Sequence, residues 1–213
     1  MSSPRLVLLR HGEVASHRGD VPITEEGRRQ ATEAGRRLGS LGSVRLLAGA
    51  TRRAQETAAG VGEGLRAAGA RVSGPEVAFA LRNPDLYLAG ARVDMVSSAE
   101  AFAEQVPWLS ADDVLAAPFF AGFLTAPDRI EYWLRSLSPP GDDAAAVAAR
   151  IITFARSLAD GSAPDAVVAV THSPVLRAVA VGLGLDDPGE PPYLTGYEVT
   201  PEPAGAVPFD PFT

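Results

Sequence analysis

Short apolar runs alternate with longer amphipathic stretches along this chain, in a regular order. Leu6-Val7-Leu8-Leu9 is a continuous apolar run, the pattern of a strand buried on both faces in a parallel sheet covered by helices. It ends at Arg10-His11-Gly12, and Gly19-Asp20-Val21-Pro22 supplies turn chemistry after it. Thr24 reads as a helix N-cap with Glu25 and Glu26 in the first turn. Ala31, Ala34 and Leu38 recur at helical spacing, and Gly39 and Gly42 end the helix. Val44 to Ala48 predicts a second strand. About Arg53 to Ala68 predicts a second helix, with Ala54, Ala58, Val61 and Leu65 on one side, and Val77 to Leu81 alternates like a third strand.

Residues 82–140 break this pattern. Periodicity is weak, prolines recur at positions 84, 107, 118, 127, 139 and 140, and most of the aromatic residues fall here, among them Tyr87, Trp108, Phe119, Phe120, Phe123, Tyr132 and Trp133. The stretch reads as an insertion of short helices packed over one end of the sheet, either a cap over a substrate or a small satellite core. Regular periodicity then resumes. Asp142 to Leu158 predicts a long helix with Val147, Ile151, Phe154, Ala155 and Leu158 on one face, and Ala166 to Val170 another buried strand ending at Thr171-His172-Ser173. Ser173-Pro174 reads as an N-cap and first-turn pair opening a helix to about Leu183. Leu194 to Thr200 is a last strand, and the proline-rich tail from Pro201 is expected to be loose. Strand and helix alternate throughout, so the expected fold is α/β, a three-layer sandwich with a mostly parallel central sheet and helices on both faces. The 213 residues suit one domain, 1–213, carrying the insertion.

Composition narrows the chemistry. There is no cysteine and no lysine; all 19 basic residues are arginine. That removes cysteine nucleophiles, thiolate metal sites, lysine Schiff bases and the lysine-containing phosphate loop. A net charge of −7 speaks against nucleic acid as a partner. No apolar run reaches the ~18 residues of a membrane span, and the amino terminus lacks the apolar core of ~7–15 residues of a secretory signal, so a cytoplasmic location without membrane attachment is expected. Oligomeric state is not legible.

Two of the three histidines, His11 and His172, stand at the carboxyl ends of predicted parallel strands, the edge where open α/β sheets bind ligands. Arg10 adjoins the first, Arg177 follows the second, and Arg52 and Arg53 follow a third strand. Guanidinium groups pair bidentately with phosphoryl oxygens, and neutral imidazole attacks phosphorus. The expected ligand is a small phosphorylated compound, with arginine supplying the positive charge and neither metal nor cofactor required. A metal hydrolase built on His11, His172 and Asp85 is a distant alternative, because the chain offers few ligands. Glu13 stands where it could touch substrate or support the residues that do. His17 and Arg18 read as a solvated turn or as pocket lining, Arg52 as solvated, and Arg177 as structural.

Leu9-Arg10-His11-Gly12-Glu13 resembles the RHG signature of the histidine phosphatase superfamily, which includes the phosphoglycerate mutases. Asp20-Val21-Pro22-Ile23-Thr24 with Gly27, Gln30 and Ala31, then Arg53-Ala54-Gln55-Glu56-Thr57-Ala58, then Thr171-His172 with Arg177, resemble further blocks of that family in the right order. The resemblance implies a phosphoglycerate mutase-like fold and hydrolysis of a phosphate monoester through a phosphohistidine on His11. It implies too that Arg10, Arg53 and His172 bind the phosphoryl oxygens and that a carboxylic acid protonates the leaving group. A phosphoglycerate-type mutase and a non-catalytic phosphate-binding protein that retains the pocket are the alternatives. The family's Leu-x-Glu acid is replaced by Leu81-Arg82-Asn83, which leaves Asp85, within an Asn-Pro-Asp turn, as the expected general acid. Ser173 replaces a glycine common after the second histidine, and the Trp-Asn of mutases is absent after Glu13.

Overall fold

A computed structural model describes residues 4–16, 19–160 and 164–213. Its elements in chain order are β1 (Arg5–Arg10), α1 (Glu25–Arg37), β2 (Ser43–Ala48), α2 (Arg52–Ala67), β3 (Arg71–Val77), β4 (Leu86–Leu88), β5 (Ala91–Val93), α3 (Ala99–Ala103), α4 (Ala111–Ala116), α5 (Pro118–Thr125), α6 (Arg129–Arg135), α7 (Ala144–Ser157), β6 (Ala166–Thr171), α8 (Ser173–Gly182), β7 (Gly196–Pro201) and β8 (Ala204–Phe209). Six strands form one sheet in the order β3-β2-β6-β1-β7-β8. The first four of these run parallel, and β7 pairs antiparallel with both β1 and β8.

The apolar runs are buried on both faces, as their lack of alternation requires. Val7, Leu9, Leu46 and Val168 face Ala31, Ala34, Val61 and Leu65 of α1 and α2. Leu6, Leu8, Leu47, Val167 and Ala169 face the other way, into a cluster with Val147 and Ile151 of α7 and Val175 and Leu176 of α8. Phe102, Phe120, Phe123 and Trp133 of residues 82–140 join the same cluster, so the apolar side chains of the short helices continue the main core. No helix among the described residues is long and apolar enough to cross a membrane.

Three local expectations are corrected. Val77 to Leu81 is no strand: Phe79–Leu81 forms one turn of 3-10 helix, with Leu81 buried and Val77 and Phe79 exposed. The strand lies earlier, as β3, an exposed edge that tolerates Gly74-Pro75 because one side of it needs no ladder partner. Its weak apolar content hid it, and the spacing of Val77, Phe79 and Leu81 imitated a strand. The tail is not loose either, since β8 pairs with β7 in a hairpin, from Gly196 opposite Phe209 to Pro201 opposite Ala204. At the sheet edge Pro208 is tolerated for the reason that holds for Pro75. Finally, the N-cap position of α8 is His172, not Ser173.

Candidate active site

The sheet order decides the site. β2, β6 and β1 are neighbours, with Ala48 beside Val170 and Arg10 beside Thr171. The residues just past these ends, Gly49, His172 and His11, therefore stand side by side. His11 N–H donates to Thr171 O at 3.0 Å and Gly49 N–H to Val170 O at 2.9 Å, extending the ladder by one step each. A Cβ on Gly49 would lie 3.0 Å from Leu81 O and 3.3 Å from His172 Nε2, so the glycine leaves room for the imidazole. The rings of His11 and His172 meet edge to face, 5.5 Å between centroids.

His11 is buried, and its Nδ1 lies 2.8 Å from Gly12 O. A carbonyl only accepts, so Nδ1 carries a proton, and in the neutral form of the ring the lone pair falls on Nε2. The loop that holds His11 is tied to α2: Gly12 N–H donates to Thr57 Oγ1 at 2.9 Å, and the Thr57 hydroxyl donates to Arg53 O at 2.6 Å. It is also tied to α1. Thr24 N–H donates to Glu13 O at 2.8 Å and the Thr24 hydroxyl to Glu13 Oε1 at 2.9 Å, while Thr24 Oγ1 accepts from Gly27 N–H. A Cβ on Gly27 would come within 2.7 Å of Glu13 O. Glu13 thus anchors the start of α1 and supports the loop.

His172 is buried, and that burial, with Arg53, His11 and Arg10 adding like charge, holds its pKa well below the ordinary histidine value. It is neutral. Arg10 is nearly enclosed: one terminal nitrogen donates to Pro191 O at 2.5 Å, the other pairs with Glu190 at 2.5 Å, and its guanidinium lies 4.1 Å from the centre of the Tyr193 ring. Arg53, in the first turn of α2, donates to Gly19 O at 3.3 Å. Burial lowers the pKa of both arginines, partly offset by Glu190 and Tyr193 at Arg10 and by Asp20 and Asp94 at Arg53, yet a guanidinium stays charged at any working pH.

These groups line a cleft of about 430 Å³. Its other walls are Met95–Ser97, Phe123 and Pro127–Ile130 from the 82–140 stretch, Ser173, Pro174 and Arg177 from α8, and Glu190. Arg177 joins two of the walls. Its side chain is buried and pairs with Asp187 at 2.5 Å and with Asp128 at 2.8 Å. Burial alone would lower its pKa, but the two carboxylates outweigh burial and raise it. Arg177 thus ties the start of α6 to the loop that follows α8. Among the described residues, Arg10 Nε, Arg53 Nε, His172 Nδ1 and Asn83 Oδ1 are buried without a hydrogen-bond partner in the chain, and all four residues line this cleft.

Residues 6–72 match the histidine phosphatase superfamily (branch 1). That match covers the amino-terminal third of the chain. The fold of the chain is shared over almost the whole length by two solved bacterial structures. A mycobacterial glucosyl-3-phosphoglycerate phosphatase, solved in complex with VO3, is 23% identical with a TM-score of 0.57, over 97% of this chain and 98% of the other. TTHB049 from Thermus thermophilus is 23% identical with a TM-score of 0.53, over 95% of this chain and 96% of the other. The mycobacterial phosphatase was also solved with inorganic phosphate. No curated protein sequence matches the chain.

The four blocks read from the sequence converge, but two expected site residues do not reach the cleft. Asp85 pairs with Arg82 at 2.7 Å and with Arg92 at 2.5 Å, and is absent from the cleft wall. Burial alone would raise its pKa, but the two arginines hold it below the ordinary aspartate value, the opposite of what a proton donor needs. Its two ion pairs and its place outside the cleft wall both count against the expectation that Asp85 is the general acid. Glu13 supports the loop as described and does not line the cleft. His17 lies outside the described residues. Glu190, Tyr193, Ser173 and Asn83 were missed as site residues. The first two precede a strand that runs antiparallel to β1, so the segment feeding it, Glu190-Pro191-Pro192-Tyr193, arrives at the same sheet edge; the strand was legible, its direction was not.

Proposed function

We propose that this protein hydrolyses small phosphate monoesters through a phosphohistidine on His11. The observation that carries the reading is the set of buried, unpartnered polar atoms on Arg10, Arg53 and His172 around one cleft beside His11. Buried polar atoms normally find partners, and a phosphoryl group would satisfy all three residues at once. His11 Nε2 attacks phosphorus while Nδ1 stays on Gly12 O, which keeps the ring oriented. Arg10 and Arg53 hold the equatorial oxygens, and neutral His172 donates its single N–H to one of them. Fixed donors of this kind act where charge develops in the transition state and need no reorganisation. The mycobacterial phosphatase of the same fold binds VO3 and inorganic phosphate, which supports a phosphoryl ligand here.

The test is His11→Ala. It is expected to abolish phosphate release while the thermal unfolding of the protein changes little. Wild-type protein quenched during turnover is expected to carry an acid-labile, alkali-stable phosphate that the variant lacks. Near-normal turnover by the variant would overturn the reading.

A further inference from the structure

An alkyl phosphate leaves as an alkoxide that needs a proton, and the phosphohistidine that remains needs a base to activate water. Among the described residues that line the cleft, two are carboxylates, Asp128 and Glu190. Asp128 is committed to structural partners. It pairs with Arg177, and it accepts from the N–H groups of Ile130 and Glu131 as the N-cap of α6. Burial alone would raise its pKa, but those bonds hold it below the ordinary value. Glu190 also has partners on both oxygens but is the more open of the two. It accepts from the Ser173 hydroxyl at 2.5 Å, pairs with Arg10 at 2.5 Å, and keeps 52% of its side-chain surface open. Its backbone is held beside Arg10: Pro191 O accepts from Arg10, Pro191 and Pro192 restrict the chain, and Asp187 fixes the start of the loop on Arg177.

We infer that Glu190 is the proton-transfer residue of the cleft, acid in the first half-reaction and base in the second. The inference rests on the phosphohistidine reading above. An incoming phosphoryl group takes the Arg10 donor that Glu190 holds in the free protein, and Glu190 enters the first step as the carboxylic acid. His11 Nε2 then forms its bond to phosphorus as the P–O bond to the alcohol breaks. The Glu190 proton passes to the departing oxygen, releasing ROH and leaving a carboxylate. In the second step that carboxylate takes a proton from water as the water oxygen attacks phosphorus. The P–N bond breaks, its electron pair returns to Nε2, and inorganic phosphate leaves with Glu190 protonated again. Ser173, where the family commonly has glycine, orients the carboxylate.

The experiment is Glu190→Gln assayed by rapid quench on glycerol 2-phosphate and on p-nitrophenyl phosphate, whose leaving group is stable as an anion. With the alkyl ester, phosphorylation of His11 is expected to fall by about 10²–10⁴-fold, the usual worth of general acid catalysis. With p-nitrophenyl phosphate, a near-normal burst of one nitrophenolate per active site is expected, followed by a slow phase in which phosphohistidine accumulates. Equal slowing of both esters without accumulation would overturn the assignment, as would unchanged rates. A positional role alone moves neither the ratio between the esters nor the level of the intermediate. Should the Gln variant fail to fold, Glu190→Asp, which shortens the reach of the carboxylate, is expected to slow the alkyl ester more than the nitrophenyl ester; equal effects would again overturn it. Phosphohistidine in the wild type with no change in Glu190→Gln removes Glu190 alone, whereas its absence from wild type removes the phosphohistidine reading itself.

Discussion

At the scale of single residues, partners rather than position in the chain decide what a carboxylate does. Asp85 follows the third strand region at a plausible spacing for an acid, but Arg82 and Arg92 claim both of its oxygens, and its main chain is tied to Asp142. Asp85→Asn is therefore expected to slow alkyl and p-nitrophenyl phosphates by the same small factor and to lower stability by about 1–3 kcal/mol at neutral pH, the range for losing charged hydrogen bonds. The sign with pH follows from the depressed pKa. The Asp85 contribution is fully present above the unfolded aspartate value, near ~3.9, and is lost as pH falls below it toward the folded value. Urea titrations of both proteins at pH 7 and again near the unfolded value check this: the gap between them is expected to narrow in acid. No part of this ion-pair network was legible in the sequence, because Arg92 reaches Asp85 across the β4–β5 hairpin. The places of His11 and His172 at strand ends were legible, since each follows an apolar run whose pattern requires burial.

At the scale of elements, the blocks of sequence that resemble the superfamily acquire physical reasons. Thr57 accepts from Gly12, Glu56 accepts from Ile23 N–H at 3.1 Å, and Asp20 accepts from Arg52 N–H at 2.7 Å, so α2 is bound to both ends of the loop that carries His11. The close approach of α1 and α2 explains the glycines between them, for a Cβ on Gly64 would lie 1.9 Å from Thr32 O. Thr57→Val keeps the shape of the side chain and removes the acceptor for a buried N–H. It is expected to cost about 1–3 kcal/mol of stability and to lower kcat more than it raises KM, because the His11 loop loosens while the cleft keeps its arginines. Denaturant unfolding and steady-state kinetics on one preparation measure both. The amphipathic spacing of these helices was readable in advance; that their polar residues meet the loop and not solvent was not.

At the scale of the whole molecule, an acidic chain brings a buried and a part-buried arginine to one sheet edge. Arg10 and Arg53 both line the cleft although the net charge is −7. Turnover is accordingly expected to persist in excess EDTA and to be inhibited by vanadate, which takes up the trigonal bipyramidal geometry of the transition state. Loss of activity in EDTA with recovery on adding zinc or manganese would contradict the assignment of the positive charge to arginine. The sequence by itself determined the α/β layering, because apolar runs without alternation must be covered on both faces and the stretches between them carry one apolar face each. It determined as well that His11 and His172 end strands. Only the tertiary structure decided that β6 inserts between β1 and β2, placing the two imidazoles 5.5 Å apart, and that β7 runs antiparallel, bringing Glu190 onto Arg10. The physical reason is that burial depends on what a run is made of, which each segment carries within itself. Strand order and direction depend on how segments distant in the chain pair through identical backbone groups, and no single segment encodes them.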